Sequence, residues 1–327
     1  MIRIIIIGLL AVAIGSCDHG VGPDSSMTSF QLLFSGSAPN VLPGIYAVEA
    51  GGTNIKRLTP DSMSLAPLFS CSPDGQSILF TVYANQSSDI WKITRSNRTV
   101  TRVVADAAMD DSPEWLYDGS GFVFRSNRSG RFSVWMCDAN GANQRQVVPD
   151  SAYTSGPIPS PRRPLVAYTY SFQTLFVLDY EHNLQIRVTP DSVKMYSGFP
   201  AWSAGGDKLA FEAYHDLYIW EVTGSLRKYW TDNNYIYNPK WSPDAKQIAF
   251  YALDTLRIFD LSSQLVHPLI PGMGPSGRSN WSPDGRSIAV EKYSTGIAIV
   301  AVDGGSTTEI SLGGIAGANP QWINATW

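Results

Sequence analysis

The side chains that could carry chemistry are few in this chain, and their spacing suits it poorly. Four histidines occur: His19, His182, His215 and His267. Neither His-Glu-x-x-His nor Cys-x-x-Cys occurs, so both zinc signatures are missing. The nucleophile elbow Gly-x-Ser-x-Gly is also missing. Asp110-Asp111 is a carboxylate pair without a base beside it, which reads as a solvated loop rather than a cation site. Gly272-Met273-Gly274-Pro275-Ser276-Gly277 spells G-x-G-x-x-G. A dinucleotide site needs a strand before those glycines and a helix after them. No helix is expected there, so the stretch reads as a flexible loop. The residues therefore assign no catalytic group, no metal and no cofactor.

The remaining signal is aromatic. Tyr153, Tyr196, Tyr235 and Tyr237 fall outside the regular strand pattern, in connections that lead into a repeated unit. Tyrosine offers a large contact area with a polar tip. These four are the candidate binding face, with local packing over strand ends as the alternative.

The repeated unit is what must position them. Asn280-Trp281-Ser282-Pro283-Asp284-Gly285 suits a type I turn, with Ser first, Pro second and Gly fourth. Ile288-Ala289-Val290 behind it is β-prone. Aligned on the tryptophan, the copies stand at Cys71, Trp115, Pro159, Trp202, Trp241, Trp281 and Trp322. Subtracting neighbours gives 44, 44, 43, 39, 40 and 41 residues. A proline precedes the anchor by two in five copies, at Pro113, Pro157, Pro200, Pro239 and Pro320. A steady period of about 40 residues marks a repeat architecture, and four short strands per period make one propeller blade. The middle strands are continuous apolar runs, such as Leu175-Phe176-Val177-Leu178, as expected of sheets buried on both faces.

Six copies are complete. The segment after residue 28 supplies second, third and fourth strands without a first, and Asn319-Pro320-Gln321-Trp322 supplies a first strand alone. Joined, they close an all-β, seven-bladed ring of four-stranded antiparallel blades and remove its sheet edges. On this reading His19 lies before the ring, His182 in a turn, His215 in a turn and His267 in a fourth strand, and the four do not converge.

Residues 1–16 carry one arginine and about a dozen apolar residues, which reads as a secretory signal. Ile14-Gly15-Ser16-Cys17 resembles the bacterial lipobox, so Cys17 is expected to be acylated. Residues 17–27 are rich in Gly, Ser, Asp and Pro and read as a tether, with the propeller at 28–327. Cys71 and Cys137 then remain, expected as buried free thiols rather than a disulfide. The net charge of −4 argues against nucleic acid as a partner.

The Trp-Ser-Pro-Asp-Gly…Ile-Ala-Phe…Ile-Trp…Leu-Thr repeat resembles the TolB-type propeller repeat across residues 28–327. The resemblance implies the fold strongly and the function weakly. TolB itself carries an additional N-terminal α/β domain, for which no residues are left here. Its propeller is six-bladed and binds the peptidoglycan-associated lipoprotein, so that partner is not carried over. Similar repeats form the propellers of prolyl-oligopeptidase-like enzymes, which need the missing hydrolase domain. They also form oligogalacturonate lyases, which need a histidine-rich metal cluster in the channel. The expectation is a monomeric, lipid-anchored, non-catalytic module of the bacterial envelope that binds an envelope protein or a cell-wall glycan. A propeller-type carbohydrate- or peptide-active enzyme, or a purely structural envelope component, is the alternative.

Overall fold

A computed structural model describes residues 30–84, 87–149, 155–171, 173–195, 199–231, 236–272, 278–292, 296–304 and 306–323. The stretches read above as a signal and a tether, with Cys17, lie outside these. Every described element is a strand, and the strands form seven four-stranded antiparallel sheets.

Blade 1 opens the chain with β1 (Gln31–Ala38), β2 (Val41–Glu49) and β3 (Lys56–Arg57). Blade 2 holds β4 (Leu65–Cys71), β5 (Ser77–Ala84), β6 (Ser87–Thr94) and β7 (Val100–Val104). Blade 3 holds β8 (Asp110–Trp115), β9 (Gly121–Ser126), β10 (Ser133–Asp138) and β11 (Arg145–Gln146). Blade 4 holds β12 (Ile158–Pro159), β13 (Leu165–Tyr170), β14 (Thr174–Asp179) and β15 (Leu184–Arg187). Blade 5 holds β16 (Ala201–Trp202), β17 (Lys208–Ala213), β18 (Asp216–Glu221) and β19 (Leu226–Thr231). Blade 6 holds β20 (Ile236–Trp241), β21 (Gln247–Ala252), β22 (Thr255–Asp260) and β23 (Val266–Ile270). Blade 7 holds β24 (Ser279–Trp281), β25 (Ser287–Lys292), β26 (Gly296–Ala301) and β27 (Thr307–Ile310). The last strand, β28 (Ala316–Ile323), returns to blade 1 as its first strand. It pairs antiparallel with β1, Leu32 opposite Trp322 and Gln31 opposite Ile323. Phe30 meets the Trp322 ring edge-on at 6.3 Å. The ring is closed by a shared blade, as the split repeat requires.

The apolar runs have a simple cause. Side chains alternate across a strand, and each blade has a neighbour on both faces. Ile78 and Phe80 join the cluster shared with blade 1, while Leu79 between them joins the one shared with blade 3. Ile248 and Phe250 pack toward blade 5, Ala249 and Tyr251 toward blade 7. The buried residues form one cluster at each junction between blades. Burial at the full-side-chain scale contributes about 1.5–3 kcal/mol per large apolar residue, so the ring is held by its seams.

The turns follow their side chains. In blade 7 the Ser282 hydroxyl donates to Asp284 Oδ1 at 2.6 Å and accepts from the Ser287 N–H at 2.9 Å. Asp284 also accepts from the Arg286 N–H at 3.0 Å. The same web recurs at Ser72–Asp74 and Ser242–Asp244. The fourth turn residue is left-handed, with φ 67° at Gly75 and 71° at Gly285, and Ala245 takes 56° in blade 6.

Candidate binding channel

The first strands of six blades, with Phe199 and Pro200 leading into β16 of blade 5, surround a central cavity of about 600 Å³. Two devices fix these strands. The first is the anchor indole. Trp202 Nε1 donates to the Ile158 carbonyl at 2.9 Å, and Trp241 Nε1 to Ala201 at 3.0 Å. Trp281 Nε1 donates to Lys240 at 3.0 Å, and Trp322 Nε1 to Asn280 at 3.2 Å. Each acceptor is the residue just before the previous blade's anchor, so the indoles clasp successive blades around the ring. Cys71 and Pro159 have no N–H donor to offer in this place. Trp115 faces the Cys71 blade, and its Nε1 is buried without a hydrogen-bond partner. Its backbone N–H instead donates to Ser70 Oγ at 3.1 Å, and Gln321 Nε2 reaches the Phe69 carbonyl at 3.0 Å.

The second device is a bulge. Ser112, Asn238 and Asn319 each precede a proline and take φ 52°, 50° and 50°. The ladder slips at each: between Asp111 and Glu114, between Tyr237 and Lys240, and opposite the step from Leu33 to Ser35. A bulge bends its strand and re-aims the side chains around it. All three residues line the cavity, as do Glu114, Lys240 and Gln321 beyond them. Sequence reading did not single out these polar residues. The signal that points to them is the proline two places before the anchor.

The ring has two faces. One carries the Ser-Pro-Asp-Gly turns, where Pro161, Pro243 and Pro283 ring a smaller hollow beside Trp202, Trp241 and Trp281. The other carries the turns between second and third strands and the connections between blades. Of the eight exposed large apolar residues described, six stand on this second face, Val41, Leu42, Tyr83, Tyr214 and Leu253 at its turns and Phe199 at the channel wall, while Leu184 and Leu265 stand on the first. Of the four candidate tyrosines, Tyr153, Tyr196 and Tyr235 lie outside the described residues. Tyr237 is not in a loop as the sequence reading had it. It stands in β20 opposite Tyr251, half-buried against the blade 6–7 cluster. The bulge after it explains the error, since the extra residue breaks the alternation used to end the strand.

Asp110 and Asp111 are likewise corrected. They are not a solvated loop but buried residues of β8, 0% and 4% exposed. Asp111 is held by Arg125 in a two-pronged pair, Nε and Nη2 each at 2.7 Å. Asp110 accepts from Arg128 Nη2 at 2.8 Å. Arg125 lies over the Phe132 ring at 4.2 Å and Arg128 over Trp135 at 4.8 Å. Burial raises the Asp110 pKa, and the Arg128 hydrogen bond opposes it. A buried charge is tolerated only with such partners.

The thiols offer no nucleophile. Cys71 and Cys137 are buried and unbonded to each other. Burial pushes both pKa values up, with Glu114 adding to the effect at Cys71, and a thiol of that kind is inert. His182 sits exposed on Asp179 at 2.9 Å and His267 lies in β23. Among the described residues, no three His, Cys, Asp or Glu side chains come together as metal ligands. No described helix is long and apolar enough to cross a membrane.

Residues 44–186 match the sequence profile of the TolB beta propeller domain. An uncharacterized protein of Agrobacterium fabrum, Atu1656, is 27% identical over 60% of this chain and 69% of its own length. A protein TolB homolog of Chlorobium chlorochromatii is 27% identical over 48% of this chain. This chain matches only 38% of that homolog's length. Among solved structures, TolB from Acinetobacter baumannii superposes with a TM-score of 0.62 at 13% identity, over 91% of this chain and 67% of that one. An oligogalacturonate lyase in complex with manganese superposes with a TM-score of 0.69 at 12% identity, over 84% and 86%. At such identities the structural likeness speaks for the fold alone.

Proposed function

We propose that this chain, a TolB-like seven-bladed propeller, works as a non-catalytic binding module of the bacterial cell envelope and takes its partner at the face of the interblade connections. The observation that supports this reading is the set of exposed apolar and channel-lining groups on one face. Most of the exposed large apolar residues stand there, the bulged strand ends with Ser112, Asn238 and Asn319 line the channel toward it, and Phe199 stands exposed at the channel wall. The partner is an envelope protein or a cell-wall glycan, and an acylated Cys17 holds the module at the membrane.

Affinity capture from envelope extract, with and without cell-wall glycan, tests it. Phe199→Ala combined with Tyr153→Ala, Tyr196→Ala and Tyr235→Ala should lose the captured partner while keeping cooperative melting. Lys246→Ala and Arg286→Ala, on exposed positions of the turn face, should capture as the native chain does. Equal loss in both sets would overturn the assignment of the face. Cys17→Ala should move the protein from the membrane fraction to the soluble one.

One observation favours a second reading, a carbohydrate-active enzyme: the likeness in fold to the lyase with manganese. A shortened glycan in the capture eluate would support the enzyme, and an intact one the binding module.

A further inference from the structure

We infer that the channel holds a carboxylate-ended peptide against the wall made by blades 6, 7 and 1; this rests on the binding reading above and names its ligand class. The wall carries Lys240, Arg278, Asn238, Asn280, Asn319 and Gln321. Two of these are cations on adjacent blades. Among the described residues, neither side chain forms a hydrogen bond or an ion pair with the chain. The other channel-lining cation, Arg125, is already committed to Asp111.

Arg278 is the sharper case. Its Nη1 is shut off from solvent and has no hydrogen-bond partner. Burial pulls its pKa below the usual guanidinium value, with the nearby Glu291 opposing. Glu291 does not pair with it and instead accepts the Asn319 backbone N–H at 3.1 Å. A guanidinium left without an ion-pair partner at the wall of an open channel favours an anion that brings acceptors to its reachable N–H groups. Lys240 is the adjacent blade's contribution. The Trp281 indole bond to its carbonyl fixes its strand. Glu114, the carboxylate lining the same cavity, sits on blade 3, three blades from Lys240 and three from Arg278, so the channel is charged unequally across its width.

The rest of the lining selects the kind of anion. Asparagine and glutamine amides both donate and accept, as a peptide bond does. The opposite wall mixes Leu68, Pro157, Ile158 and Pro200 with the rings of Phe69, Trp115 and Phe199. That offers an apolar side chain next to the terminal carboxylate a surface to pack on.

The Trp281 and Trp322 indole N–H groups, bonded to Lys240 and Asn280 of this wall, are built-in reporters. The experiment titrates ¹⁵N-labelled protein with two pools of N-acetyl-Gly-Gly-Xaa-Leu, identical except for a free carboxylate or a carboxamide at the end. The carboxylate pool should shift the two indole signals and the carboxamide pool should not. Lys240→Gln with Arg278→Gln should weaken the carboxylate pool about tenfold or more, and Arg278→Lys should retain part of the binding. Equal shifts from the two pools, or undiminished binding to a folded double variant, would overturn the proposal. So would shifts from a uronic-acid oligosaccharide in place of the carboxylate pool. Should the double variant fail to fold, the comparison of pools on the native chain decides. Should neither pool act while envelope capture persists, the channel ligand is wrong and the binding face stands. Should capture fail as well, the binding reading itself falls.

Discussion

At the scale of single residues, conformation and charge show most plainly where turns are forced. Ala245 occupies a left-handed position that its counterparts fill with glycine. A Cβ there is strained, so Ala245→Gly should raise stability by about 0.5–1 kcal/mol, measured by urea denaturation. Most residues resist that substitution, so a loss would show that the strain is absent. Asp260 is a second case. It accepts the backbone N–H groups of Ser262 at 3.0 Å and Ser263 at 2.9 Å. The Ser262 hydroxyl, followed by the Ser263 backbone, holds its pKa well below the ordinary carboxylate range. A folded pKa below the unfolded one gives stability that is present above about pH 4 and is lost as the pH falls toward the depressed value. The melting temperature of Asp260→Asn should therefore lie below native at pH 7 and converge with it in acid. A constant gap at every pH would contradict this.

At the scale of the blade, the anchor strands matter more than the turns. Four seams are clasped by an indole bond to the previous blade, and the Trp115 indole, though buried, is unpartnered. Trp241→Phe should cost about 1–3 kcal/mol, because it leaves the Ala201 carbonyl unsatisfied as well as removing ring area. Trp115→Phe should cost less, since only packing is lost. Equal losses by calorimetry would show that the indole bonds are incidental. The strands themselves were legible because each is short, apolar on both faces and punctuated by the same turn. The bulges were not, since an extra residue at Ser112, Asn238 or Asn319 leaves the composition unchanged and alters only the register. Asp110 and Asp111 were misread for a related reason. Their partners Arg125 and Arg128 are 14 and 18 residues away, joined only once β8 and β9 pair.

At the scale of the molecule, the ring has a single point of closure, where β28 docks between β1 and the channel. Deleting residues 319–327 removes most of that strand, including Trp322 from the blade 7–1 cluster. The truncated chain should melt at a lower temperature and less cooperatively, because a repeat protein is held by its neighbour interfaces. Unchanged melting would contradict closure by the shared blade. Fold and blade number were thus readable from periodicity alone. The channel lining was not readable in the same way, because the charge on its wall depends on which strand positions turn inward.

The central claim is that recognition happens on the face of the interblade connections. Hydrogen–deuterium exchange of the chain with its captured envelope partner tests this most directly. Protection should appear around Tyr83, Phe199, Tyr214 and Leu253 and along β20 and β24 at the channel. Protection confined to the turns at Ser72–Gly75, Ser242–Ala245 and Ser282–Gly285 would place the partner on the opposite face and contradict the account.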